Sequence, residues 1–353
     1  MALAITSVTG KIANGKSIFV VGTDFGTTGP TIAVFDDFEK GTNGNAISTT
    51  AGSAQVNEWD VVQNPTYSTA QAHGGSLSCQ FDFGDAYNYG GDRQLSVNTT
   101  GATKIYMSFW MLVPSDSYIP GVNTEDGGNW KFAMITGDPW AESDYVIVLE
   151  GDVGGDFQTP NPWYDATGLG ETGYGVCSLQ KGRWHRWEWH AVGSTSGAGV
   201  MQIWETNSGQ ARRSCGGDTD LTTLHSGDTW DYVDFPAYAR IDETAINYHD
   251  DIYIATGDNC LARVEIGNNA TYTSCTNLAV CTPTAWSGTG ITLTVRSGSF
   301  STGTVYLFVV DKDGNASSGF SLVWNSTDAM GSRVSKFCGI ETANISKING
   351  VLL

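Results

Sequence analysis

The sequence predicts an all-β protein, and three observations point there. Glycine accounts for 44 of the 353 residues and aromatic side chains for 11%, a composition that favours strands and turns. Apolar and polar residues alternate over short runs such as "ITLTV" and "VYLFVV", and turns rich in Gly, Asn and Asp separate the runs. Long stretches of Ala, Leu, Glu and Lys, which sustain helices, are missing.

Taken in order, the first 34 residues read as short strands: "AITSVTG", "KSIFVVGTDFG" and the start of "PTIAVFDDFE". They are too few to close a domain and need partners from elsewhere in the chain. Such partners occur 240 or so residues on, in "TAWSGTGITLTVRSGSFSTGTVYLFVVDKDGNASSGFSLVW". Between them, "SLSCQFDFG", "KIYMSFWMLV", "NWKFAMIT", "DYVIVLEG", "RWHRWEWHAV", "VMQIWET" and "DDIYIA" follow one another without helical patterns, which implies an antiparallel sandwich or jelly roll.

The stretch "KGRWHRWEWHAV" (181–192) is the most informative of these. On a strand, Trp184, Arg186, Glu188 and His190 share one face, while His185, Trp187, Trp189 and Ala191 share the other. Trp187 and Trp189 are expected in a core, with Arg186, Glu188 and His190 facing something wetter.

Two resemblances follow. The opening "ITSV…NG…" strands and the later "ITLTV…VYLFVVDKDGNAS" strands look like two halves of an immunoglobulin-like IPT/TIG domain. The hairpin "GRWHRWEWHAV…GVMQIWET" resembles that of concanavalin A-like lectins and glycan-active enzymes, with "FDDFE" and "DDIYIA" resembling that fold's neighbouring terminal strands. The implied fold is a concanavalin A-like jelly-roll sandwich plus a smaller immunoglobulin-like β-sandwich. Its parts would be residues 1–34 and 267–325 for the smaller domain, 35–266 for the jelly roll and 326–353 for a C-terminal tail.

The tail "KFCGIETANISKINGVLL" looks like short repeats of bacteriophage structural proteins. That likeness implies a virion surface protein, a capsid decoration or tail-associated part with a non-catalytic lectin-like jelly roll. Its expected partners are virion structural proteins, surface polysaccharide and further copies of itself. The chain would be made in the host cytoplasm and exposed by lysis. A purely structural cement protein is another reading.

Composition bounds partners as well. With 37 acidic against 18 basic residues, the net charge of -19 disfavours a nucleic-acid partner. No segment has the apolar length to cross a bilayer, and the N-terminus lacks the pattern of a signal peptide. The seven cysteines form no C-x-x-C pair, so reduced thiols are expected, with Cys275 and Cys281 the candidate exception.

Strand parity collects a candidate sugar-binding face. Tyr106 and Trp110 share a face with Arg186, Glu188 and His190, joined by Gln202 and Trp204 on the next strand and by Lys131 in "NWKF". Flat aromatic platforms with fixed polar groups are what a sugar requires.

An enzyme is the competing class: a polysaccharide lyase or glycanase acting on an acidic polysaccharide. A lyase needs a base for the C5 proton and a group that neutralises the uronate carboxylate, parts that His190, Arg186 and Gln202 can play. Two motifs argue against catalysis. The alternating acidic triplet of laminarinase-like enzymes does not appear, and no Tyr has Lys two residues on. Glu188 and Glu205 share the hairpin, where Glu205 is expected to pair with Arg186.

Calcium is the candidate cofactor. Asp36, Asp37 and Glu39 in "FDDFE" meet Asp250 and Asp251 in "HDDIY" if the two strands are neighbours. "DKDGN" (311–315) fails as a calcium loop because Leu322 stands where the bidentate Glu belongs. "GLGETG" (168–173) matches the dinucleotide pattern without a strand-to-helix context.

Overall fold

The computed structural model describes residues 2–83, 94–117, 129–137, 144–151, 157–165, 177, 179–224, 226–235, 238–240, 245–325 and four two-residue strands beyond. "GLGETG", Cys338 and most of the tail lie outside them.

Every strand pairing described is antiparallel, and the fold is a jelly-roll-type β-sandwich with a second, smaller β unit. One eight-stranded sheet runs Leu179–Gln180, Phe157–Asp165, Asp144–Gly151, Asn129–Thr136, Trp230–Phe235, Gln94–Ala102 and Val61–Gln63, with Tyr238–Arg240 beside Asn129–Thr136. The other runs Gln210–Leu221, Gly199–Asn207, Trp184–Val192, Lys104–Leu112, Ile246–Thr256, Ser78–Asp82 and Thr66–Ser68, with Thr31–Asp36 beside Ile246–Thr256. "FDDFE" and "DDIYIA" are neighbours, as expected.

The main core lies between these sheets. Met107, Phe109, Trp187, Trp189, Met201 and Ile203 point into it from one side and Val97, Ile135, Val233 and Phe235 from the other. Trp187 and Trp189 lie inward as strand parity predicts. Burial of two indoles and a phenyl ring stabilises this layer by roughly 2 kcal/mol or more for each ring.

A seven-stranded sheet joins the N-terminal strands to strands between residues 263 and 323: Ala4–Thr9, Ser17–Thr23, Gly290–Thr294, Leu278–Ser287, Arg263–Gly267, Thr304–Val310 and Phe320–Val323. It encloses a separate core that includes Val8, Val20, Val264, Ile266, Leu293, Leu307 and Trp324. The chain passes between the two units one strand earlier than the sequence boundaries put it. Thr31–Asp36 pairs with the jelly roll, and Arg263–Gly267 pairs with the terminal sheet. Both strands are apolar alternations of the same kind, so pattern alone does not say which sheet takes them.

The terminal unit lies against the outward face of the Trp184–Val192 sheet. Trp110 Nε1 donates to the Leu278 carbonyl at 3.4 Å, Arg212 N donates to the Cys275 carbonyl at 3.2 Å, and Arg296 reaches Gln55 Oε1 at 3.1 Å.

Cys177 and Cys215 form a disulfide across the jelly roll, and Cys79, Cys260, Cys275 and Cys281 are buried thiols. This corrects the expectation of reduced thiols and of a Cys275/Cys281 bridge. The two partners stand 38 residues apart in sequence, and only the fold brings them together.

Candidate active site

The expected sugar-binding face is an internal interface. Glu188 accepts from Tyr106 Oη at 2.7 Å and from Arg212 Nε at 2.8 Å, with Arg186 at 3.2 Å and Arg263 at 3.3 Å. Glu265, from the terminal unit, takes Arg186 and the Tyr272 hydroxyl. Arg263 also lies over the Tyr106 ring at 4.4 Å. Burial opposes charge on Glu188, yet Arg186, Arg212 and Arg263 hold its carboxyl far below the usual range.

Tyr106, Arg186 and Glu188 are therefore buried from solvent, with their polar groups taken up by protein partners. Trp204 is half-buried beneath the Arg212 guanidinium, 4.5 Å from its ring centre. Lys131 lies on Asn129–Thr136 in the opposite sheet, so it does not share this face. Glu205 pairs with His185 at 2.6 Å and Arg213 at 2.8 Å rather than with Arg186.

His190 and Gln202 are register partners and line a cavity of about 790 Å³ with Lys104, Asp258 and Lys312. Burial pushes the His190 imidazole down to about 4 against the hydrogen bond with Gln202. Its Nδ1 is buried and has no partner among the described residues. With Arg186 sealed in the interface, the expected lyase group of His190, Arg186 and Gln202 is not assembled.

The five calcium candidates do not converge either. Asp36 accepts from Phe38 N and Trp59 Nε1, and burial pushes its carboxyl up to about 7. Asp37 takes Gln55 Nε2 at 2.7 Å, and Glu39 takes the Ser76 and Leu77 amides at 2.7 Å each. Asp250 accepts from the amides of His73, Gly74 and Asp251. These carboxylates are spent on protein donors. Among the described residues, the metal-capable cluster is Cys177, Glu205 and Cys215, and its two sulfurs are already bonded to each other.

What Asp250 and Asp251 do instead is position His73. A bulge in the Ile246–Thr256 strand places Asp251 at φ 49°, a left-handed conformation that Asp tolerates better than most residues. Its Oδ2 then lies 3.1 Å from His73 Nδ1, while Asp250 Oδ2 accepts the His73 amide at 2.8 Å. The imidazole stacks on Trp110 at 3.7 Å and meets Trp184 edge-on at 5.8 Å. No partner of His73 Nε2 occurs among the described residues.

His73, Trp110 and Trp184 line a cleft of about 450 Å³ with Arg183, Ser208, Asn268, Thr276, Asn277 and Ser299. Arg183 is half-buried there and, among the described residues, has no carboxylate partner. A Cβ on Gly209 would stand 3.2 Å from Arg183 Nη1, so glycine keeps that space open. The cleft thus holds an oriented imidazole, an unpaired guanidinium and aromatic walls. Of these residues, sequence reasoning had singled out only Trp110 as a ligand contact. "QAHGGS" carries no periodicity, and the signals available were His73 beside two glycines and the Asp250–Asp251 doublet.

No protein-family model and no curated protein matches this chain. Solved structures do, alginate and glucuronan lyases among them. The endo-β-1,4-glucuronan lyase of the fungus Trichoderma reesei aligns over 61% of this chain and 96% of its own, at 14% identity and a TM-score of 0.41. The alginate lyase of Aplysia kurodai aligns over 65% and 100%, at 11% identity and a TM-score of 0.40. An alginate lyase from Chlorella virus aligns over 60% and 100%, at 13% identity and a TM-score of 0.39. At these identities and TM-scores the likeness assigns neither family nor activity to this chain.

The reading of a non-catalytic bacteriophage virion protein finds no support in these matches. Tyr106, Arg186 and Glu188, expected on an open sugar-binding face of the jelly roll, are buried. No helix among the described residues is long and apolar enough to cross a membrane.

Proposed function

We propose that this protein is a polysaccharide lyase acting on uronate-containing chains in the His73 cleft. One observation carries the reading: His73, held by Asp251, shares a cleft with the unpaired Arg183. The smaller unit, read as an immunoglobulin-like sandwich, closes one side of that cleft.

The chemistry follows from the donor and acceptor set. With Asp251 on Nδ1, the neutral ring carries its proton there and offers the Nε2 lone pair to the cleft. Arg183 binds the substrate carboxylate through its planar fork and stabilises the charge that develops when the C5 proton leaves. His73 Nε2 takes that proton, the C4–O4 bond breaks as the C4=C5 double bond forms, the departing O4 takes a proton from water, and the imidazolium then returns its own proton to solvent. Asp251 stabilises the imidazolium formed on the way. Trp110 and Trp184 offer apolar faces to the sugar ring.

The test is incubation with poly-glucuronate, alginate and polygalacturonate, following the ultraviolet absorbance of the new double bond. Wild-type protein is expected to generate it on at least one polymer. His73→Ala is expected to lower the rate by roughly 100-fold or more, and Arg183→Lys to raise KM. Absence of absorbance on all three polymers, or an undiminished rate in His73→Ala, overturns the reading.

A further inference from the structure

A loop of the terminal unit, Arg296 to Ser299, packs against the segment that carries His73. Gly74 meets Gly298 backbone to backbone: a Cβ on Gly74 would stand 2.5 Å from the Gly298 carbonyl carbon. Gly74 has no left-handed φ, so its own backbone tolerates a side chain and the neighbouring loop is what forbids one. Gly298 is buried at φ 47°, and a Cβ there would stand 2.9 Å from Ala279 Cβ and 3.4 Å from Asp251 Oδ2. One glycine thus abuts both the chain next to His73 and the carboxylate oxygen that pairs with its ring. The loop is itself fixed: Ser297 N donates to Asn14 Oδ1 at 3.2 Å, Phe300 N to Ser297 O at 2.8 Å, and Asn277 Nδ2 to Ser299 Oγ at 2.8 Å. Its first residue supplies charge. Arg296 Nη1 donates to Gln55 Oε1 at 3.1 Å, and Gln55 Nε2 donates to Asp37 Oδ1 at 2.7 Å. Burial and the charge of Asp251 push the Asp37 carboxyl up, and Arg296 opposes them.

We infer that Gly298 and Arg296 are positioning residues for His73, so that the terminal unit completes the active site. The inference rests on the lyase reading for what His73 does. A base has to be held close to its productive place, and a loop such as "QAHGGS" has no ladder of its own to hold it. Asp250 ties the amides of His73 and Gly74 from the jelly roll, at 2.8 and 3.1 Å. Gly298 packs on the same segment from the terminal unit, so both units hold the backbone while Asp251 holds the ring at Nδ1. Arg296 balances the carboxylates of Asp37 and Asp251, whose repulsion would otherwise move the acceptor away from Nδ1. Both residues act through His73 and not on the sugar.

Nitrogen-15 NMR of histidine-labelled protein tests it, the His73 signals being identified among the five histidines by their loss in His73→Ala. The neutral ring of wild type is expected to show one tautomer, with the proton on Nδ1. Gly74→Ala drives the two loops apart and Arg296→Met removes the charge. Each is expected to shift the His73 ring nitrogens towards a mixture of tautomers and to lower kcat about tenfold or more with KM little altered. Arg296→Lys, which keeps the charge, is expected to recover part of both. Val305→Ala controls for instability, because it trims a buried side chain of the terminal core. Its unfolding midpoint is expected to fall while the tautomer and kcat stay at their wild-type values. Unchanged His73 signals in either Gly74→Ala or Arg296→Met, or an equal loss of kcat in Val305→Ala, overturn the inference. Failure of the lyase reading alone looks different: the His73 signals respond to both variants, but wild type forms no double bond on any polymer.

Discussion

Arg263 Nη2 lies 3.3 Å from Glu188 Oε1, so a strand of the terminal unit neutralises a carboxylate from the middle of the jelly roll's sheet. The two residues are 75 positions apart and both are buried. Around them Arg186, Arg212, Glu265, Tyr106 and Tyr272 satisfy one another's charges and hydroxyls. The pairing turns what would be a solvated face into the joint between the two units.

Glu188→Gln is accordingly expected to be costly. It leaves Arg186, Arg212 and Arg263 facing one another with Glu265 as the remaining carboxylate, and breaking a buried ion pair in this way costs about 3–5 kcal/mol. Denaturant unfolding measures it. A loss below about 1 kcal/mol would place the stability of the joint elsewhere. Salt is expected to change little, because buried pairs are poorly screened.

His249 gives a pH-dependent prediction. It is fully buried, stacked on Phe109 at 5.4 Å and edge-on to Phe81 at 5.2 Å, and both ring nitrogens lack partners. Burial lowers its pKa from 6.5 to about 3. The folded state therefore binds the proton less readily than the unfolded one. The corresponding stability is present above pH 6.5 and is lost as pH falls towards 3. His249→Phe removes that liability. Relative to wild type, the variant is expected to gain about 3 kcal/mol between pH ~7.5 and pH ~4.5. Parallel stability profiles for the two proteins would contradict this account.

How far the sequence reached differs between the two faces of one strand. The alternation in "RWHRWEWHAV" placed Trp187 and Trp189 in the core correctly, because a period of two fixes which residues share a side. It also read Arg186 and Glu188 as facing water, and there it failed. Periodicity separates apolar from polar sides but does not tell solvent from a second unit carrying matching charges. Glu265 sits in "RVEIG", where a lone carboxylate between apolar residues reads as the outward side of a strand. Lys131 missed the face for a related reason, since parity within a strand does not reveal which sheet holds it. His73 was invisible because loops carry no period and its partner Asp251 was read as a calcium ligand.

The disulfide makes a third expectation. Cys177 and Cys215 are 38 residues apart, and closing a loop of that length in the unfolded chain is worth about 4 kcal/mol in the chain-entropy treatment. Cys215→Ser, or full reduction of wild type, is expected to lower the unfolding midpoint. Cys79, Cys260, Cys275 and Cys281 are buried and are expected to react with an alkylating reagent only after unfolding. Insensitivity of the midpoint to reductant would show that the bridge does not stabilise the fold.

Asp251 offers the sharpest separation of backbone from charge. Its φ of 49° is a conformation that Asn adopts as readily as Asp, so Asp251→Asn keeps the bulge that aims the side chain at His73. What changes is the pairing at Nδ1. A carboxylate accepts the Nδ1 proton and stabilises the imidazolium, whereas an amide that turns its NH₂ group towards the ring favours the other tautomer and blocks the lone pair at Nε2. The substrate carboxylate still meets Arg183, so binding is expected to persist. The variant should therefore lose kcat by roughly 100-fold with KM little altered, and its unfolding midpoint should stay close to that of wild type. If KM rose instead while kcat held, Asp251 would be shaping the cleft and not setting the protonation of His73.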